Sequence, residues 1–145
     1  MRHGGLGLLN PFALLEQAGL DRGWFVADLG CGSLGHFVFP AAHLVGATGR
    51  VYAVDVQKHA FQRLERDVRE HQCWHVCPLW ADIEADSLTI PESSIDLTLM
   101  INTLYLAQAR DRWAQEASRV TKSQGRLLVI DWHPEAAPLG PAANL

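Results

Sequence analysis

The chain has 145 residues, 48% apolar and 19% charged, with a formal net charge of −4. Those numbers describe one domain with enough apolar content for a core; the acidic balance, without a Lys/Arg cluster, excludes an electrostatic nucleic-acid surface. Three cysteines without regular spacing exclude a disulfide framework, and no apolar run is long enough to cross a membrane.

Residues 1–22 form an N-terminal segment carrying one helix, because Asn10 suits the cap and Pro11 the first helical position. Phe12, Leu15 and Ala18 fall on one face, and Gly19 ends the helix. Trp24–Leu29 is an apolar run that predicts a buried strand feeding the loop Gly30-Cys31-Gly32-Ser33-Leu34-Gly35. His36–Val45 predicts a short helix, with Pro40 in its first turns.

Arg50–Val54 predicts a second strand ending at Asp55, followed by an amphipathic helix over Gln57–Gln72. In that helix Phe61, Leu64 and Val68 share the inner face, and Glu65/Arg69 and Arg66/Glu70 pair on the outer one. Trp74–Trp80 predicts a third strand, demoted to a sheet edge by Pro78, which cannot donate to a central ladder. Asp82–Ser94 is acidic and turn-rich, hence a loop; Ile95–Ile101 predicts a fourth strand. Leu106–Lys122 predicts a helix with Ala109, Trp113, Ala117 and Val120 inward, and Arg126–Trp132 a fifth strand. The tail from His133 is Pro/Ala/Gly-rich and expected to be poorly ordered. The five tryptophans are expected in the core or at the rim of a cleft.

Strands alternating with helices imply an α/β fold, a doubly wound parallel sheet whose ligand cleft lies at the carboxyl ends of the strands. Gly30, Asp55, Asp82 and Asn102 all fall at or just past such ends. The loop glycines match the dinucleotide fingerprint G-x-G-x-x-G, and Asp55 follows Gly35 by twenty residues. Asp28 opposes that assignment, since its carboxylate would meet a pyrophosphate in a partly dry cleft. A cationic ligand bearing adenosine, S-adenosylmethionine, suits the site better than a nicotinamide dinucleotide.

Asp28-Leu29-Gly30-Cys31-Gly32 resembles the first motif of the class I S-adenosylmethionine-dependent methyltransferases, and Val51-Tyr52-Ala53-Val54-Asp55-Val56 the second. Ala81-Asp82-Ile83, the stretch from Pro91 to Leu97 and the stretch from Arg119 to Leu128 resemble later motifs in the same order. The usual third glycine, two residues after the second, is Leu34 here, with glycine one place later at Gly35.

The resemblance implies a single domain over 1–145 with strand order 3-2-1-4-5 and S-adenosyl-L-methionine as cofactor. It places the cofactor against Asp28, Leu29, Gly30, Cys31, Gly32, Gly35, Asp55, Val56, Asp82, Ile83 and Asn102. Asp55 would accept from the ribose hydroxyls, Asp82 from the adenine amino group, and the carbonyl near Asn102 would face the α-ammonium. Methyl transfer to a small-molecule acceptor in the cytoplasm is the implied function; a non-catalytic cofactor-binding or oligomerisation module is the alternative. The family's sheet continues past the fifth strand with a helix and an antiparallel hairpin, whereas residues 133–145 are all that follow Trp132 here. The expectation is a sheet lacking that hairpin, with an exposed fifth strand through which the chain forms a homodimer or is marginally stable.

Three further groups invite sharper assignments. His71, Cys73, His75 and Cys77 alternate along one strand, but neighbours two apart lie roughly 6.6 Å from each other. That is too far for three of them to share a tetrahedral ion, and no metal is assigned. Cys31 is either a reactive thiol or a residue small enough for its loop, and the second is preferred. Tyr105 either faces the acceptor or packs on the following helix; His36 and His133 are candidate bases whose partners the sequence alone does not name.

Overall fold

A computed structural model describes residues 9–133. The expectations for the first eight residues and for the tail beyond His133 lie outside the described residues. The elements run α1 (Pro11–Gln17), β1 (Phe25–Leu29), α2 (Val38–Val45), β2 (Arg50–Asp55), α3 (Lys58–Glu70), β3 (Val76–Trp80), β4 (Ile95–Ile101), α4 (Arg110–Val120) and β5 (Thr121–Ile130). All five strands are parallel, in the order β3-β2-β1-β4-β5. Pro78 lies in the edge strand β3, as its missing N–H requires.

Two apolar layers sandwich the sheet. Val26, Val51, Leu97 and Leu99 pack under α1, α2 and α3 with Leu15, Val38, Val45 and Leu64. Ala27, Leu29, Val54 and Met100 pack on the opposite side with Ile83, Ile90 and Val120. Successive strand residues alternate between the layers, as the pleat dictates. In α1 the Asn10 side chain accepts from the Ala13 N–H at 3.2 Å, with Pro11 at the first turn.

Several local expectations need correction. In α3 the inner face is Ala60, Leu64 and Val68, with Phe61 half-buried. Arg66 pairs with Glu70 as expected, but the remaining α3 ion pairs run from Arg63 and Arg66 to Asp67 rather than from Glu65 to Arg69. Strand β3 starts at Val76 because a turn closed by Val76 N–H on the Cys73 carbonyl precedes it, which leaves Trp74 exposed. Trp80 is exposed as well, its ring under Lys58 and its Nε1 donating to the Val56 carbonyl.

The helix expected from Leu106 to Lys122 is shorter at both ends. Glu84 accepts from the backbone N–H groups of Gln108 and Ala109, at 3.0 and 3.2 Å, and so fixes the start at Arg110. At the other end α4 passes directly into β5, five residues earlier than expected. Thr121 adopts extended backbone, pairs with Ile95 and hydrogen-bonds Thr98 through its hydroxyl at 2.6 Å. The strand then shifts register before Arg126 pairs with Leu97. Glycine is required at 125: a Cβ there would meet the Ile95 carbonyl oxygen at 2.9 Å. Strand β5 forms an edge of the sheet, with Leu128 and Ile130 against the first layer and Leu127 and Val129 exposed.

Glu116, a polar residue on the inner face of α4, was missed. It is 2% exposed, accepts from Leu88 N–H at 2.9 Å, and pairs with Arg119, which also donates to the Leu88 and Ile90 carbonyls. This network ties the acidic segment after β3 to α4. Arg119 holds the Glu116 carboxyl below its ordinary value, so its contribution is present above the ordinary glutamate range and lost as pH falls through the lower folded value. Glu116→Gln should therefore lower unfolding stability by about 1–3 kcal/mol at pH 7. Urea titrations of the two proteins should converge well below pH 4; a gap that persists there would remove the ion pair as the cause.

Candidate functional site

The carboxyl ends of β1, β2 and β4 open onto a cavity of about 540 Å³. Asp28, Gly30, Cys31, Gly32, Asp55, Val56, Asp82, Ile83 and Asn102, nine of the eleven residues singled out in the sequence, line it. Leu29 and Gly35 do not. The Leu29 side chain is fully buried in the second apolar layer, and Gly35 packs against α2 and α3, where a Cβ would meet Phe39 and Leu64 at 2.9 Å. Leu34, in the place of the usual third glycine, is 48% exposed, so the shifted glycine supplies the close packing while the loop bulges outward.

Each glycine of the loop has a different reason to be glycine. Gly30 and Gly32 have φ of +82° and +69°, a region that side chains rarely adopt. A Cβ on Gly30 would run into the Thr103 methyl group and approach the Trp113 ring at 3.2 Å. One on Gly32 would meet nothing within 4 Å, since that face opens on the cavity. The loop is tied to β2 by Gly30 and Cys31 N–H groups, both donating to the Val54 carbonyl, at 2.8 and 3.0 Å.

Asp55 completes that tie. One carboxylate oxygen accepts from Gly32 N–H at 2.8 Å and the other from Gln57 N–H at 2.9 Å. Asp28 is 2% exposed on the cavity floor, and burial, with Asp55 as the lesser cause, pushes its carboxyl up to about 7. Cys31 is buried, and desolvation followed by the two carboxyls raises its thiol well above the ordinary value. That environment suits a packing residue, not a nucleophile.

The loop after β4 forms the far wall. Asn102 takes a left-handed conformation at φ +52° while its N–H donates to the Ile130 carbonyl at 2.7 Å. Asp131, at the end of β5, accepts from Leu104 and Tyr105 N–H groups at 2.7 and 3.2 Å. Tyr105 lines the cavity, and burial, then the Asp131 charge, raises its hydroxyl above the ordinary value. Glu84 braces the wall from the side, accepting Trp113 Nε1 at 3.0 Å besides its two backbone donors. Thr103, Glu84, Trp113 and Gln57 also line the cavity and were not singled out; only folding brings them together.

His36 lines the cavity, whereas His133 is exposed past the end of β5. His71, Cys73 and His75 lie along a separate shallow pocket beside α2, where His75 Nε2 meets the Ala42 carbonyl at 3.0 Å; Cys77 is not part of it. No three His, Cys, Asp or Glu side chains among the described residues are grouped to hold a metal ion.

A family model described as "Methyltransferase domain" matches residues 20–140. The chain belongs to the class I S-adenosylmethionine-dependent methyltransferase family.

Relatives of this methyltransferase domain agree. It is 34% identical over 113 residues to the 2-phytyl-1,4-naphtoquinone methyltransferase of Nostoc punctiforme, covering 77% of this chain and 47% of that protein. It is 30% identical over 142 residues to the ubiquinone/menaquinone biosynthesis C-methyltransferase UbiE of Laribacter hongkongensis, covering 98% of this chain and 57% of that one. A crystal structure of a SAM-dependent methyltransferase from Aquifex aeolicus superposes with a TM-score of 0.85 at 27% identity, over 96% of this chain and 72% of that one. The chain spans about half the length of the curated relatives it matches.

S-adenosylmethionine is the cofactor of this family, and the site fits it. The space beside Gly32 admits a ligand that a side chain would displace, and the lining carries Asp28, Asp55, Asp82 and Glu84 without any Lys or Arg. A net anionic wall attracts a sulfonium and opposes a pyrophosphate. Gly32→Ala should cost only the ~1–2 kcal/mol of a side chain in left-handed backbone and lose cofactor binding by tenfold or more, while Gly30→Ala should melt earlier still because its Cβ also strikes Thr103. Thermal melts beside calorimetry separate the two, and equal behaviour would overturn the distinction. Asp28 has a raised carboxyl, so it favours folding most below its ordinary value and loses that advantage as pH rises through about 7. Asp28→Asn should therefore raise the Tm at pH 8 relative to the native chain and leave it nearly unchanged at pH 4.

Proposed function

We propose that this domain binds S-adenosylmethionine in the cleft and transfers its methyl group to a small aromatic acceptor of the quinol class. The cleft's anionic lining, joined to the glycine loop at the carboxyl ends of β1 and β2, supports the reading most directly. Asp55, already oriented by Gly32 and Gln57, has lone pairs left to accept from the ribose hydroxyls. Val56 and Ile83 flank the adenine ring, and Asp82 accepts from its amino group. The backbone from Gly30 to Gly32 lies beneath the methionine portion with Asp28 below it. The Asn102 carbonyl faces the α-ammonium.

When bound, the cofactor supplies an electrophilic methyl group on a cationic sulfur. The chain's own part is to exclude water and hold the acceptor in line with that group, which supplies as much as ~7–11 kcal/mol in favourable cases. Phe37, Ile101, Tyr105, Leu106 and Trp113 give the cavity an aromatic and aliphatic side. Two kinds of relative are named for quinone or naphthoquinone methylation, which supports an acceptor of that shape.

We also propose that copies self-associate through β5. Its outer edge has no neighbouring strand among the described residues, and Leu127 and Val129 are exposed beside it.

Isothermal calorimetry should give micromolar binding of S-adenosylmethionine and its demethylated product and none of NADH. Labelled methyl should then pass to a reduced naphthoquinone. Cofactor binding without transfer would leave a binding module, and no binding would sink the reading altogether. Asp55→Ala should weaken the cofactor by about 2 kcal/mol or more. Sedimentation at micromolar concentration tests self-association; a strict monomer refutes it.

A further inference from the structure

The chain has twelve Lys and Arg and seven His side chains able to carry positive charge, yet only one of them, His36, lines the cleft. The rest of the cleft's ionisable lining is four carboxyl groups, one thiol and one phenol. The ligand assigned above is not purely cationic, however, because its methionine portion ends in a carboxylate. A quinol acceptor likewise develops negative charge on oxygen as it loses its proton. Either way an anionic oxygen enters a cleft whose walls repel it.

His36 is placed to answer that. Its Nε2 is enclosed and has no hydrogen-bond partner, and the ring stands edge-on to Phe37 with centroids 5.7 Å apart. The Thr103 hydroxyl, on a residue 7% exposed that lines the same cavity, is also enclosed without a partner. A buried polar atom left unpaired costs about 1–3 kcal/mol, and native interiors rarely keep two beside one cavity. His36 immediately precedes Phe37, which caps α2 with no side-chain hydrogen bond, so the positive end of that eight-residue helix adds to the same preference.

We propose that His36, assisted by the Thr103 hydroxyl, is the anion-binding group of the cleft and takes an anionic oxygen, either the cofactor's carboxylate or the ionising hydroxyl of the acceptor. The inference rests on the methyltransferase reading and extends it to residues outside the recognised motifs. In the acceptor case the balance is simple. The acceptor O–H proton passes to His36 Nε2, that oxygen attacks the methyl carbon, the oxygen–methyl bond forms as the carbon–sulfur bond breaks, and the sulfonium becomes a neutral thioether.

Calorimetry on His36→Gln and Thr103→Val distinguishes the two sources. The probes are S-adenosylhomocysteine, 5′-methylthioadenosine, which lacks the amino-acid portion, and 1-naphthol added to the protein loaded with S-adenosylhomocysteine. If the cofactor's carboxylate is the anion, His36→Gln loses about tenfold for S-adenosylhomocysteine and nothing for methylthioadenosine. If the acceptor oxygen is the anion, both nucleosides bind as before and 1-naphthol loses its advantage over naphthalene. Thr103→Val should move the same probe in the same direction, by less. Unchanged affinities for every probe in both variants, with native melting temperatures, overturn the proposal. A native chain that binds neither nucleoside instead overturns the methyltransferase reading beneath it.

Discussion

The cleft depends on one carboxylate. Asp55 stands at the end of β2 and accepts from Gly32 on the neighbouring loop and from Gln57 at the head of α3. Without it the loop after β1 would be tied to β2 through the two bonds to the Val54 carbonyl alone, among the described residues. Charge-assisted bonds of this kind contribute about 1.5–3 kcal/mol each, enough to hold two left-handed glycines in one conformation. The cost appears next door, at Asp28, whose carboxyl is pushed up to about 7 by burial and by the Asp55 charge. The cleft floor is thus poised between a neutral acid and an anion, and a cationic ligand is what tips it to the anion.

The same device recurs around the cavity. Asp131 holds the backbone of Leu104 and Tyr105, and Glu84 holds Gln108, Ala109 and the Trp113 indole. Asp96 fixes the start of β1 through Phe25 N–H, and Glu116 fixes Leu88. Each joins segments at least twenty residues apart in sequence. A parallel sheet leaves its connecting loops with unpaired N–H groups near strand ends, and carboxylates satisfy those donors while keeping the loops rigid. Much of the chain's acidic character is therefore internal scaffolding rather than a solvated face.

That division explains how much could be read in advance. The edge position of β3 and the cleft at the strand ends follow from Pro78 and from alternation, which are local signals, while the strand order follows from the family resemblance that the ordered motifs carry. Nine of eleven site positions share one cavity for the same reason. Leu29 was included because it sits inside a motif, yet strand pleat turns its side chain to the core. Gly35 was included for its identity, although its glycine serves helix packing. The start of α4 was misplaced because Glu84, more than twenty residues earlier, fixes it. Glu116 reads as a surface residue until Arg119 and Leu88 close around it. Long-range polar ties carry no periodicity, so no window along the chain reports them.

The distribution of charge also decides between ligands that the glycine pattern alone leaves equal. A dinucleotide needs positive partners or free N–H donors for its pyrophosphate. Here the Gly32 N–H is already taken by Asp55, and no Lys or Arg lines the cleft. A sulfonium needs the reverse, an anionic surface, and Asp28, Asp55 and Asp82 supply one to the cavity. The glycines therefore determine that something approaches the backbone closely, while the carboxylates determine its sign. An electropositive reacting centre beside an acidic floor, with one histidine as the counterweight, is the electrostatic frame within which methyl transfer would have to run.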